Sequence, residues 1–233
     1  GVFLWGERWL DDMLDLLEVI LDPALVRPRA VDVSAVAERD HCIVYTDASG
    51  AGWIGMILID LRSGGPRLWA SVRVPAWFTK VVSGDTMTAI SQYELLGHLA
   101  ADLTFEHLLT GRAVYHFGDN TSAIAAVVHG TSGKPAMARL ANMVCMVSAR
   151  NHTRKFYEYC KTHANPSDCP SRPRPSLSSP PTPEELLAAA DWDRKYKADW
   201  DSVMPFLVQL PTAQVILPTQ AQWEQPSLFY KGK

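Results

Sequence analysis

From Glu7 to Leu21 the apolar residues Leu10, Met13, Leu14, Leu17, Ile20 and Leu21 recur at the spacing of one helix face, and Pro23 stops the pattern. This predicts an amphipathic helix that needs a partner surface. Residues 25–40 contain Pro28 and three arginines with no clean period, and are expected to form a connector. Three apolar runs follow, Cys42–Ala48, Gly52–Asp60 and Arg67–Val74, the last two separated by the turn sequence Ser63-Gly64-Gly65-Pro66. Short runs joined by short turns predict an antiparallel meander. Asp85, Thr86 or Thr88 is placed to cap a helix of about twenty residues whose apolar face is Ile90, Tyr93, Leu96, Ala100, Leu103 and Leu108, ending before Gly111. A brief β-rich run at Ala113–Phe117, helices over Thr121–His129 and Lys134–Ala149, and an aromatic strand over Thr153–Thr162 complete the pattern. The class is therefore α/β, with a mixed five-stranded sheet flanked by helices. The strands near residues 42, 52 and 67 should be antiparallel, and those near 113 and 154 should extend the sheet in parallel.

Between Pro170 and Pro183, six of fourteen residues are proline and most others are Ser or Arg, the composition of an extended linker. Beyond it, Glu184–Trp200 has helical character and Val203–Trp223 mixes apolar runs with prolines. The expected organisation is an N-terminal helix and connector (1–40), a main domain (41–172), a proline-rich linker (173–183), and a helix with an extended tail (184–233).

Charge changes this picture by section. The net charge of −3 conceals a segment 41–175 with 13 basic and 9 acidic side chains, a net of +4, between flanks of net −5 and −2. A basic middle suits a phosphate-tracking surface, the more so if some of its acids are neutralised by metal. No apolar stretch approaches the roughly 20 residues of a membrane span, so membrane insertion is not expected. Cys42, Cys145, Cys160 and Cys169 form no C-x-x-C pair and are read as reduced thiols of an intracellular protein. The chain opens at Gly1 without a basic leader and is read as an excised or processed fragment.

The chemistry lies in four acids: Asp47 at the end of the first strand, Glu94 within the long helix, Asp119 after the fourth strand and Asp168 beyond the fifth. Parallel neighbouring strands bring their carboxyl ends to one sheet edge, and a crossover helix can direct one side chain there. Clustered carboxylates repel one another unless cations neutralise them, and magnesium is the hard, oxygen-seeking candidate. Each acid alone could be a turn or cap residue. A mid-helix glutamate joined to three such acids argues for a shared site.

The segments Tyr45-Thr46-Asp47-Ala48-Ser49-Gly50 with Gly52-Trp53, Tyr93-Glu94-Leu95-Leu96, Gly118-Asp119-Asn120, and Asn165-Pro166-Ser167-Asp168-Cys169-Pro170-Ser171-Arg172 resemble the ribonuclease H domains of reverse transcriptases. The last block resembles in particular the versions in tyrosine-recombinase retrotransposons and hepadnavirus-like polymerases. The resemblance covers residues 41–172. Integrases and transposases of the same fold place the glutamate last and fit less well. The resemblance implies a ribonuclease H-like fold and a metal-dependent endonuclease that hydrolyses the RNA strand of an RNA/DNA hybrid. It further implies two Mg²⁺ ions, with Mn²⁺ as the alternative, held by Asp47, Glu94, Asp119 and Asp168, and a loop histidine, His163, assisting departure of the product.

Ser49, Asn120 and Ser122 are small polar residues beside these acids, suited equally to contacting sugar or phosphate oxygens and to shaping turns and caps. Lys134, Arg139, Arg150, Arg154 and Lys155 supply positive charge after Asp119, with Lys134 and Arg154 as the candidate substrate contacts. His98, one turn beyond Glu94, is a packing residue or an orienting partner. Gly97 should lie where its helix presses on a neighbour, and Trp53 and Trp69 should fill the core. The alternative function is a domesticated domain acting as a structural or interaction subunit of a larger assembly. In that case residues 1–21 and 184–233, including Leu217 and Trp223, would be buried against a protein partner. A nuclease of the same fold acting on DNA junctions is a third reading, because discrimination of RNA rests on contacts to its 2′ hydroxyls.

Overall fold

The computed structural model describes residues 41–82, 89–172 and 210–229. The expected N-terminal helix and connector, the cap candidates Asp85, Thr86 and Thr88, the proline-rich linker and the expected helix over Glu184–Trp200 lie outside the described residues.

Three antiparallel strands open the domain: β1 (His41–Ser49), β2 (Trp53–Asp60) and β3 (Arg67–Arg73). At the β1–β2 turn, Gly52 takes φ 80°, where a side chain would be strained. After α1 (Ala76–Val82), α2 (Ile90–Thr104) and the short α3 (Glu106–Leu109), β4 (Ala113–Gly118) pairs in parallel with β1. Then α4 (Thr121–His129) and α5 (Pro135–Arg150) lead to β5 (Arg154–Tyr159), parallel to β4. The sheet order is β3-β2-β1-β4-β5, the mixed five-stranded arrangement expected from the sequence.

Capping chemistry explains several boundaries. The Asn120 side chain accepts from the Ala123 N–H at 3.0 Å to begin α4, and Gly130 ends it with φ 67°. Pro135 occupies the first turn of α5, where no N–H partner is needed. The long helix expected to run to Leu108 is instead divided at Phe105, whose φ of −100° and ψ of 14° leave the helical region. Phe105 is fully buried, so its aromatic ring anchors the break. Helix α1 was not expected, because seven residues after Pro75 are too few to display a period.

Helix α2 lies on β1 and β2 and packs against α5 and α4. Leu95, Leu96, Leu99, Leu103, Val44, Ile54, Met56, Leu140, Met143 and Val147 form the main core between these layers. Gly97 sits where helix meets sheet: a Cβ there would lie 3.3 Å from Ile54 Cγ2 and 3.6 Å from Thr46 Cβ. Trp53 and Trp69 are buried, as their strand positions predicted.

Residues 210–229 return to this same body. Trp69 pairs with Thr212 in a parallel bridge, and the Trp69 indole donates to the Leu210 carbonyl at 3.2 Å. The short helix α6 (Gln220–Glu224), closed by a capping box from Thr219 and Gln222, inserts Trp223 beside Trp77, Phe78 and Arg139. The expectation that Leu217 and Trp223 bury against another chain is corrected here. Trp223 is buried in its own domain, and Leu217 packs partly buried against the same core. Among the described residues, no helix is long and apolar enough to cross a membrane.

Candidate metal centre

Because β1 and β4 are parallel, Asp47 near the end of β1 and Asp119 just beyond β4 reach the same sheet edge. Glu94, in the second turn of α2, points to that edge. The three side chains each offer a carboxylate oxygen, and these oxygens all lie within 4.8 Å of one another. Asp47 and Glu94 are 2 % and 3 % exposed, so bulk water does little to screen them. Burial above all, and then the neighbouring carboxylates, push the pKa of both well above the usual range. The site therefore favours added positive charge, either protons or a cation. Three carboxylate donors at this spacing, two buried and Asp119 half-buried, fit a hard divalent ion.

The acids open into a cavity of about 390 Å³, bordered also by Ser49, Asn120, Thr162 and Arg172. Thr162 Oγ1 donates to Asp119 Oδ2 at 2.5 Å, and the Ser171 hydroxyl donates to Asp47 Oδ2. Burial, assisted by the nearby acids, raises the Cys160 thiol to about 12, which keeps it protonated beside them. None of the four cysteines is in a disulfide.

Asp168 adjoins the other three without joining their mutual 4.8 Å group. It is buried in a short 3-10 turn (Pro166–Asp168), close enough for its charge to act on Asp47 and Glu94. Its Oδ1, however, is held by Arg172, at 2.7 Å from Nε and 2.6 Å from Nη2. The turn lies flat against the sheet because residue 55 is glycine. A Cβ there would approach Ser167 O at 2.4 Å and Ser171 N at 2.5 Å. Gly55 is paired with Asp47 across β1 and β2, so this close approach brings the Asp168 segment to the site. Asn165 secures it by donating to the Thr46 carbonyl at 3.0 Å.

Of the remaining candidates, Ser49 borders the cavity, and its hydroxyl also accepts from the Trp53 N–H at 3.3 Å. Asn120 borders it while capping α4. Ser122 is exposed on α4 and is not among the residues bordering the cavity. The His163 backbone lies in the 3-10 turn Thr162–Ala164, and its side chain lies outside the described residues.

The expected basic surface is smaller than the sequence suggested. Lys155 is buried in an ion pair with Asp102, Arg150 pairs with Glu106 at 2.9 Å and donates to the Phe229 carbonyl, and Arg139 lies over the Trp223 ring. These three cations are committed to the fold. Lys134 is exposed and Arg154 half-buried.

His98 does not orient Glu94. It lies in a buried cluster in which His98 Nδ1 is 2.8 Å from His116 Nε2, and Thr46 Oγ1 is within 3.3 Å of both rings. Burial lowers the His98 pKa to about 3 and that of His116 well below its usual value, so both rings are neutral near pH 7. Thr46 precedes Asp47, and this cluster fixes the strand directly beneath the acids.

Thr162, Ser171 and Arg172 were not selected as site residues from sequence. Ser171 and Arg172 belong to the Pro-Ser-Arg segment that carries the resemblance, which is the signal that could have found them; Thr162 gives none. The chain matches no known protein-family profile and no curated protein sequence.

Proposed function

We propose that this chain is a divalent-metal-dependent endonuclease with a ribonuclease H-like fold, derived from a retroelement reverse transcriptase and acting on the RNA strand of RNA/DNA hybrids. The observation that carries the reading is Glu94. A glutamate buried within a helix against a sheet is costly to hold, and this one faces Asp47 and Asp119 with oxygens inside 4.8 Å. A core role would call for an apolar residue or a paired cation at that position.

Asp47, Glu94 and Asp119 would hold the ion, with Mg²⁺ favoured by the all-oxygen donor set and Mn²⁺ the alternative. A divalent ion there would acidify an attacking water and stabilise a departing 3′ oxygen. Thr162 and Ser171 orient two of the carboxylates through their hydroxyls. The His98–His116–Thr46 cluster keeps β1 from shifting beneath them. The choice of hybrid as substrate rests on the sequence resemblance, and Ser49, Asn120, Lys134 and Arg154 are the side chains proposed to face it.

The subunit reading drew on a tail expected to bury its apolar residues in another chain. The position of Trp223 removes part of that support. None of the described tail residues borders the acidic cavity, so that part of the tail does not cover it.

The test is cleavage of labelled hybrid, duplex RNA, duplex DNA and DNA junctions in magnesium. RNA-strand cleavage confined to the hybrid is expected. Asp119→Asn should reduce it at least a hundredfold with an unchanged melting profile, because a ligand charge is lost without a change of shape. Preferred cleavage of junctions would replace the substrate assignment, and full activity of Asp119→Asn would remove the acids from the chemistry.

A further inference from the structure

Among the described residues that border the cavity, Arg172 is the sole cation. Its guanidinium is engaged with Asp168, the one of the four acids implied by the sequence resemblance to share two metal ions that lies outside the Asp47–Glu94–Asp119 group. We infer that Arg172 is a built-in counter-cation that occupies Asp168 in place of a second metal ion while nucleic acid is absent, and that it transfers to a substrate phosphate on binding. The inference rests on the metal-dependent reading above.

Geometry supports a competition. The Asp168 backbone is anchored: Asp168 N–H donates to the Asn165 carbonyl at 3.1 Å, and Ser171 N–H to the Ser167 carbonyl at 3.2 Å. The Ser171 hydroxyl contacts both the Asp168 carbonyl, at 2.9 Å, and the Asp47 carboxylate. Asp168 is therefore fixed beside the three-acid cluster, and its buried charge requires compensation. Arg172 supplies it through two nitrogens on one oxygen.

The two partners differ in exposure. The Asp168 side chain is 7 % exposed, whereas that of Arg172 is 36 % exposed. The arginine, which also borders the cavity, is the more exposed of the two. A guanidinium suits phosphate as well as carboxylate, since its planar donors match either. With its charge already compensated by Arg172 through Oδ1, Asp168 attracts a second divalent ion less strongly than an unpaired carboxylate would. The free protein should accordingly fill the Asp47–Glu94–Asp119 position first.

The experiment is calorimetric titration of the full chain with Mg²⁺, without nucleic acid. Wild type should bind one ion, Arg172→Gln two, and the Arg172→Gln/Asp168→Asn double variant one. Circular dichroism establishes that each variant is folded. Two ions in wild type, or one in Arg172→Gln, would overturn the inference while leaving the metal-dependent reading intact. If neither protein binds an ion, both fall together. Should Arg172→Gln fail to fold, wild type and Asp168→Asn decide: one ion of equal affinity in each supports the inference, and loss of that ion on removing the Asp168 charge overturns it.

Discussion

Glu94 holds the site's electrostatic conflict in one side chain. Burial, with Asp47 and Asp119 nearby, raises its pKa well above the usual carboxylate range. A group raised in the folded state contributes stability below its unfolded value, and that contribution is lost as pH rises through the folded value. Metal-free protein should therefore lose stability as Glu94 and Asp47 are forced to ionise. Glu94→Gln, which cannot ionise, should raise the melting temperature in EDTA more at pH 8 than at pH 5, and magnesium should narrow the difference at pH 8. Melting curves at the two pH values check this. An equal effect at both would show that ionisation of Glu94 does not oppose folding.

At the scale of elements, Gly55 sets how closely the Asp168 turn lies on β2. Gly55→Ala would force its Cβ against backbone atoms at 2.4 and 2.5 Å, which cannot yield as a flexible side chain would. Overpacking of this kind costs about 1–3 kcal/mol. Denaturant unfolding of Gly55→Ala should show that loss, together with weaker metal binding as Asp47 shifts. Unchanged stability would mean that the turn moves away freely.

The strands were legible because apolar runs bounded by turns mark them, and Asp47 and Asp119 were legible because they close two of those runs, whereas Glu94 was marked by its place within a helix. The contacts between side chains were not. Nothing in the period of β5 reveals that Lys155 meets Asp102 on α2, although Lys155 shares its strand face with Tyr157, which packs against the core. The capture of Asp168 by Arg172 likewise depends on a tight turn that periodicity does not encode. The sequence also gave no sign that Phe105 would bend the long helix, since its apolar face continues unbroken to Leu108.

For the whole molecule, the return of residues 210–229 to the domain is the largest departure from expectation. Trp223 is separated by many residues from Phe78 and Arg139 yet packs with both. Trp223→Ala should cost about 3–5 kcal/mol, the usual range for emptying a buried aromatic site. A shift in the unfolding midpoint at unchanged slope measures it, and a negligible shift would return the tail to a partner-binding role.

The central claim is that Asp47, Glu94 and Asp119 together form a divalent-metal centre. A crystal of the protein grown with Mn²⁺, with anomalous scattering measured at the manganese edge, tests it most directly. The account predicts a peak coordinated by all three carboxylates, absent in crystals of Asp119→Asn. Manganese bound elsewhere, or a Glu94 side chain turned away from a filled site, would contradict it.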